Sequence, residues 1–346
     1  MQTVPSLGIL EDIVLEITLA VIAGFILAIL ITPIYTHFAF RYKAWKQIRD
    51  TSTSGEKAPV FHKLHAAKHK RNIPTMAGII VIAAVAIFTI LFNYSLAQTV
   101  LPLAALIGAG IVGLFDDYIN IRGKAKGIAG LRSQMKFSLI FGIALVISLY
   151  AFYKLEYTSL AVPFLGQLEF GWLIVPIFIL AIVATANAVN ITDGLDGLAG
   201  GLLAIVFAIY TVIAMVQGNV GIAIYCATVL GALLAYTWFN VYPARFFMGD
   251  VGSFALGTSL GVVAMLTNTV LLLPFIGAVF VIEAGSSSVQ LLSKRFLGRK
   301  IFRSAPIHHH FEAIGWPETK VTMRFWILGA TAGAAGLVIA ILGGML

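Results

Sequence analysis

Three acidic clusters and a run of histidines carry the chemistry available to this sequence. Asp116-Asp117 closes one apolar segment, Gly249-Asp250 opens another, and Asp193 and Asp196 lie in the stretch Asn187–Gly201 between two more. That stretch also holds Asn187, Asn190 and Thr192 among several glycines. A polar knot between two membrane-length segments is expensive to bury, which marks it as functional. Adjacent carboxylates at a helix end can bind a hard cation or divide acid and base roles. Asp193 and Asp196 share a face if the stretch is helical; if it is a loop, Gly194 and Gly197 let the backbone approach a ligand. Five carboxylates on three such segments point to magnesium and a phosphorylated substrate, because Mg2+ is held by a few carboxylates plus phosphate oxygens. The competing interpretation is three separate solvated turns.

The histidines form the run Ala305-Pro306-Ile307-His308-His309-His310. Neighbours on a helix point about 100° apart, so three consecutive histidines are poorly arranged for one metal. Hydrogen bonding to a phosphate, or orienting a loop, suits them better than zinc. Pro306 holds Ala305 extended and can start a short helix at the triplet, whose members then have unequal roles.

The elements that position these residues are membrane helices. Of 346 residues, 60% are hydrophobic and 11% charged, whereas a soluble domain averages about a quarter charged. With a mean hydropathy of +0.96, the chain reads as an all-α polytopic membrane protein forming one integral-membrane domain over 1–346. A span needs about 20 mostly apolar residues. Ten candidates run over 17–38, 75–94, 97–115, 134–152, 172–189, 198–216, 220–239, 253–268, 270–292 and 323–345. The single cysteine, Cys226, lies inside a span and excludes an intramolecular disulfide. Glu11, Asp12 and Glu16 precede the first span without Lys or Arg, unlike a signal peptide. A retained first helix with its N-terminus outside is expected.

Charge placement supports that topology. It puts 39–74, 116–133, 190–197, 240–252 and 293–322 in the cytoplasm. All 23 Lys and Arg residues except Lys154 fall in those loops or at their helix ends, as the positive-inside rule requires with both termini outside. The acidic clusters and the His triplet, unused in placing the spans, share that face. An active site on cytoplasmic loops is expected.

Orientation alone explains most of the first loop's charge, Lys57, Lys63, Lys68, Lys70 and Arg71 beside His62, His65 and His69; Lys70 stands out by its nearness to Pro74-Thr75-Met76. The basic and apolar residues of 294–303 suit a segment in the headgroup region. Glu283 interrupts the ninth span and has a functional or an internally hydrogen-bonded role. Gly285-Ser286-Ser287-Ser288 permits a bend there. A small outer hairpin is expected within 153–171.

On these residues the sequence resembles the polyprenyl-phosphate N-acetylhexosamine-1-phosphate transferases, over nearly its whole length and in motif order. The resemblance rests on Pro74-Thr75-Met76, Phe115-Asp116-Asp117, Asn187 to Gly197, Phe239-Asn240 with Phe247-Met248-Gly249-Asp250, and Ala305 to His310. The His triplet after Ala-Pro-Ile points to the muramoyl branch. The resemblance implies transfer of phospho-MurNAc-pentapeptide from UDP-MurNAc-pentapeptide to undecaprenyl phosphate, giving lipid I and UMP for peptidoglycan synthesis at the bacterial cytoplasmic (inner) membrane. It implies Mg2+, ten spans, a homodimer among membrane lipids, and no nucleic-acid partner. It makes Asp250 a magnesium ligand, Asp116 the base or nucleophile with Asp117 beside it, and His308 the essential histidine. It places Lys70, Thr75, Asn187, Asn190, Asp193, Asp196, Asn240, Phe247, Gln290 and His309 in substrate binding. Ala77 departs from the family's usual Gly after Thr-Met and puts local loop geometry in question. The alternatives are a sister transferase using UDP-GlcNAc, and a transporter of nucleotide sugars or lipid precursors. A transporter should carry polar residues at mid-membrane in several spans, but apart from Glu283 the charges cluster at helix ends.

Overall fold

The computed structural model describes residues 7–45, 72–122 and 130–346. Lys70 and the other basic residues and histidines of 57–71 lie outside the described residues.

The chain is a helical bundle. Its elements are α1 (Leu7–Arg41), α2 (Gly78–Phe92), α3 (Val100–Arg122), α4 (Ser133–Lys154), β1 (Ser159–Val162), β2 (Gly166–Glu169), α5 (Ile174–Thr192), α6 (Leu198–Val216), α7 (Val220–Asn240), α8 (Gly249–Leu266), α9 (Leu273–Ile276), α10 (Ala278–Leu297), α11 (Ile307–Ala313) and α12 (Glu318–Leu342). Among the described residues, 8 helices are long and apolar enough to cross a membrane. The shorter α2 and the more polar α10 occupy the predicted second and ninth spans, so all ten predicted segments are helical. At 1.5 Å per residue, α1 is about 52 Å long, well beyond the ~30 Å hydrocarbon layer.

The bundle is built around α8. Every residue of this helix is buried except Asp250, and α2, α3 and α5 pack against it. Lipid is as apolar as leucine, so helices here gain little from hydrophobic burial and depend on close backbone approach. Gly113 provides it: a Cβ there would overlap the Asp250 carbonyl. Asp116 and Asp117 lie three and four residues further along α3, on the same side of the helix, and are thereby carried to the start of α8.

The ends of the helices are tied in two layers. On one side, Thr75 N–H donates to Ala44 O at 2.8 Å, Phe247 N–H to Pro74 O at 2.8 Å and Ala77 N–H to Phe247 O at 3.0 Å. On the other, Asn93 Nδ2 donates to Gly221 O at 2.8 Å, Asn268 Nδ2 to Gln167 Oε1 at 3.0 Å, and Gln217 Nε2 to Thr267 O at 2.9 Å and Met345 O at 3.1 Å. These are the inner and outer connections of the predicted topology. The outer hairpin is present as an antiparallel pair, with Leu160 opposite Leu168.

Three expectations need correction. The Asp116-Asp117 pair is not in a loop, because α3 continues to Arg122; backbone hydrogen bonding carries the helix past the point where hydropathy falls. Asp250 is likewise helical, the second residue of α8. The ninth span, predicted as one segment over 270–292, is two helices, and the Gly-Ser run lies inside the second. Ser286 and Ser288 return their hydroxyls to Glu283 O at 2.8 Å and Ala284 O at 3.0 Å inside a continuous helix. The break comes at Gly277, between α9 and α10.

Candidate active site

The carboxylates of Asp116, Asp117 and Asp250 converge, each offering an oxygen within 4.8 Å of the others. Each is held by a specific partner. Asp116 Oδ1 accepts Leu131 N–H at 2.6 Å and its Oδ2 lies 3.2 Å from Lys136 Nζ. Asp250 Oδ2 lies 3.1 Å from the same ammonium. Asp117 Oδ2 accepts Val251 N–H at 3.2 Å, one of the unpaired donors at the start of α8. Gly249 has φ +76°, and a side chain there would run into the Asp117 carboxylate and Thr75 Oγ1. Only glycine suits that backbone and that approach.

The donor set fits a divalent cation. With all three acids ionised the cluster carries three negative charges against one from Lys136, 3 − 1 = 2, which one Mg2+ balances. All three donors are oxygens, the chemistry this hard cation prefers.

Further predicted residues surround this cluster. Thr75 is fully buried, and its carbonyl accepts the Tyr35 hydroxyl at 2.6 Å. Asn190 Nδ2 donates to Ser253 Oγ at 2.8 Å, and that hydroxyl donates to Gly249 O at 3.1 Å. Asn187 donates to Val183 O at 2.8 Å and borders a cavity of about 610 Å³ with Ser133, Gln134 and Ser138. Phe247 is half-buried on the irregular segment before Asp250.

The histidines form a second wall. They open α11, as the preceding proline led us to expect, and each has its own partner. His308 is buried, with Nδ1 2.8 Å from Glu283 Oε2. Its Nε2 side abuts Gly194, so α11 packs on the Asp193–Gly197 loop. His309 Nδ1 is 2.7 Å from Glu312 Oε2, and His310 Nδ1 accepts Arg303 N–H at 3.1 Å. Burial pushes the His309 pKa below 6.5; neighbouring His308 adds to this, and the pull of Glu312 in the other direction is smaller. The close contact with Glu312 is therefore a neutral imidazole donating its Nδ1–H to a carboxylate rather than an ion pair. The sign for stability follows. A folded-state pKa below the unfolded one gives a contribution complete above about pH 6.5 and lost as pH falls through the folded value. Wild type should lose thermal stability more steeply than His309→Gln as pH falls below about 6.5, and identical slopes in detergent melts would remove this contribution.

Three predicted site residues direct their side chains at loop backbones. Asp196 Oδ2 accepts Ala244 N–H at 3.1 Å. Asn240 accepts Gly197 N–H at 3.0 Å and donates to Phe246 O at 2.9 Å. Gln290 accepts both Ile301 and Phe302 N–H at 3.1 Å and donates to Phe302 O at 2.8 Å. They frame the site's loops.

Sequence reasoning missed Lys136, Glu312 and the pairing of Glu283. Lys136 was absorbed into the general excess of cytoplasmic base, although its place in the first turn of a span was the available signal. Glu283 drew notice as an intramembrane acid, but its partner lies 25 residues away.

Helical spans gather carboxylates and an ammonium at one end of the bundle, beside a wall of histidines. The family model described as "Glycosyl transferase family 4" matches residues 99–268, from the outer end of α3 to the end of α8. Relatives match nearly the whole chain. The phospho-N-acetylmuramoyl-pentapeptide-transferase of Chloroflexus aurantiacus is 38% identical over 97% of this chain and 92% of its own length. Proteins of the same name from Geobacillus sp. (strain WCH70) and Bacillus licheniformis are 38% and 36% identical, over 93% and 96% of this chain and 97% and 98% of their own. The chain belongs to the phospho-N-acetylmuramoyl-pentapeptide-transferase family. It is a multi-pass protein of the bacterial cytoplasmic membrane and a phospho-sugar transferase.

Proposed function

We propose that this chain transfers phospho-MurNAc-pentapeptide from UDP-MurNAc-pentapeptide to undecaprenyl phosphate, producing lipid I and UMP for peptidoglycan synthesis. The observation that carries the reading is the cluster of Asp116, Asp117, Asp250 and Lys136 where α3, α4 and α8 meet. A carboxylate set of this kind at the membrane face suits a reaction between a water-soluble nucleotide and a lipid phosphate.

Asp250, with Asp116 and Asp117, would hold Mg2+, which would supply charge neutralisation for the pyrophosphate and the leaving UMP. In the reaction an oxygen of the acceptor phosphate bonds to the β-phosphorus of the nucleotide sugar. The bridging P–O bond breaks, and UMP departs with that oxygen. Asp116 takes the proton of the acceptor phosphate. A carboxylate oxygen with one hydrogen bond keeps a lone pair for a proton. Lys136, already between two of the acids, stabilises charge on the transferred phosphate. Asn187, Asn190 and Asp193 on one side, and His308 and His309 on the other, bind the nucleotide sugar. An apolar cavity of about 430 Å³ between α10, α11 and α12, lined by Ile282, Phe311, Phe325 and Leu328 with Arg324 at its edge, suits the acceptor's prenyl chain. The proposal includes a homodimer, tested by the mass of the detergent-extracted particle.

Purified protein with Mg2+ and a polyprenyl phosphate should release UMP from UDP-MurNAc-pentapeptide in preference to UDP-GlcNAc. Lys136→Met should lower kcat about a hundredfold, the usual cost of removing one group that stabilises transition-state charge. Release of UMP without acceptor would replace the proton-transfer role of Asp116 by a covalent phospho-sugar enzyme. Faster turnover of UDP-GlcNAc would overturn the substrate assignment.

A further inference from the structure

We propose that α12, the last spanning helix, is a positioning clamp for the nucleotide-binding loop, acting through Glu318, Thr322 and Trp326. The inference rests on the function proposed above and adds to it residues outside the carboxylate cluster. The three side chains are spaced i, i+4, i+8 and so share one helix face. Glu318 Oε1 accepts Asp196 N–H at 2.6 Å. Thr322 Oγ1 donates to Asp196 O at 3.2 Å. Trp326 Nε1 donates to Gly197 O at 3.2 Å. Both backbone polar groups of Asp196 and the carbonyl of Gly197 are thus bound by a helix more than 120 residues further along the chain. Gly201 leaves room for the Trp326 indole, which a Cβ at that position would overlap.

The clamp bears on the site because of what else α12 holds. Residues 314–317 alone separate it from α11, and Phe311 of α11 stacks on Trp316 with ring centroids 4.7 Å apart. The histidine wall and the Asp193–Gly197 loop are therefore fixed by the same helix, with Gly194 pressed against His308. Two walls referenced to one rigid element keep their spacing when the nucleotide leaves, which is what preorganised binding requires. The clamp is not needed to dock α12. Further along, Gly329, Gly333 and Gly336 are buried against Leu202, Ile209 and Ile276 and supply the packing. Variants in the polar stripe should therefore fold.

The test pairs kinetics with hydrogen exchange on full-length protein in detergent. The double variant Thr322→Val/Trp326→Phe removes two donors; valine keeps the shape of threonine, and phenylalanine keeps an aromatic ring but gives up part of the indole's packing against Gly201. It should raise KM for UDP-MurNAc-pentapeptide about tenfold, a change of about 1.4 kcal/mol and close to the net value of one or two hydrogen bonds. Its kcat and its KM for polyprenyl phosphate should stay near wild type. Glu318→Ala should behave alike, and Glu318→Gln, which keeps an acceptor oxygen, should restore the wild-type KM. Amides 193–198 should exchange faster in the double variant while those of α8 do not. Unchanged exchange over 193–198 overturns the clamp, and so does faster exchange with an unchanged nucleotide KM. A loss confined to thermal midpoint and total activity, equal for both substrates, also overturns it in favour of simple docking. A wild type that releases no UMP overturns the activity reading alone, because the exchange result still decides whether α12 holds the loop.

Discussion

Asp250→Asn should lower UMP release by at least about a hundredfold, the scale for removing one group that stabilises transition-state charge, while leaving the protein folded. The substitution preserves shape but removes a full ligand charge, so the cluster would carry two negative charges against Lys136 and no longer match a divalent ion. Folding survives for reasons local to α8. Asp250 is the one residue of that helix not buried, and Gly113 packs against its main chain, which Asn leaves in place. The ion pair with Lys136 joins side chains 20% and 16% exposed, a partly solvated pair worth no more than about 1 kcal/mol. Loss of an acid from the first turn of a helix adds a few tenths to about 1 kcal/mol. A titration of UMP release against Mg2+ checks the assignment. The variant should need far more Mg2+ or fail to saturate, with a thermal midpoint lowered by no more than a few degrees. Near wild-type turnover at limiting Mg2+ would exclude Asp250 as a ligand.

The spans and the face of the site were legible in the sequence because two strong signals agree, apolar length and the side on which Lys and Arg fall. The exact seats of the carboxylates were not. Hydropathy ended the third span at residue 115, but an α-helix satisfies its own backbone wherever it emerges, so Asp116 and Asp117 stay helical. What brings them to Asp250 is the missing Cβ of Gly113, and nothing in a single sequence separates that glycine from others that line helix contacts. The pairs Glu283–His308 and Glu318–Asp196 were equally hidden. Each joins segments remote in sequence, and a lone acid shows its cost without naming its partner. Local chemistry fared better at the His triplet, where the proline before it and the angular step of a helix sufficed to foresee three different environments.

Those environments set the second large effect. His308→Ala should reduce turnover at least about a hundredfold, His309→Ala less, and His310→Ala least, a scale set by single preorganised groups. His308 is buried, with its Nδ1 2.8 Å from the Glu283 carboxylate. Glu283 fixes the ring, and the ring in turn packs on Gly194, so one substitution releases both the imidazole and the loop that carries Asp193. Alanine also takes one hydrogen-bond partner from a buried carboxyl group, a net loss of about 0.5–1.5 kcal/mol, so the stability of this variant must be measured beside its rate. Glu283→Gln separates the two effects, since its amide oxygen can still accept from Nδ1 and orient the ring. It should keep most of the activity lost in His308→Ala. Replacing His309 leaves the Glu283–His308 pair in place and removes the contact with Glu312 and the ring contact with His308. His310 faces the 299–303 turn, where Nδ1 accepts from Arg303 and the ring meets Phe302. If Glu283 acts only through His308, the double variant Glu283→Gln/His308→Ala should be no slower than His308→Ala, because groups that work as a unit are not additive. Additive losses would give Glu283 a role of its own, and equal small losses at all three histidines would reduce the triplet to packing.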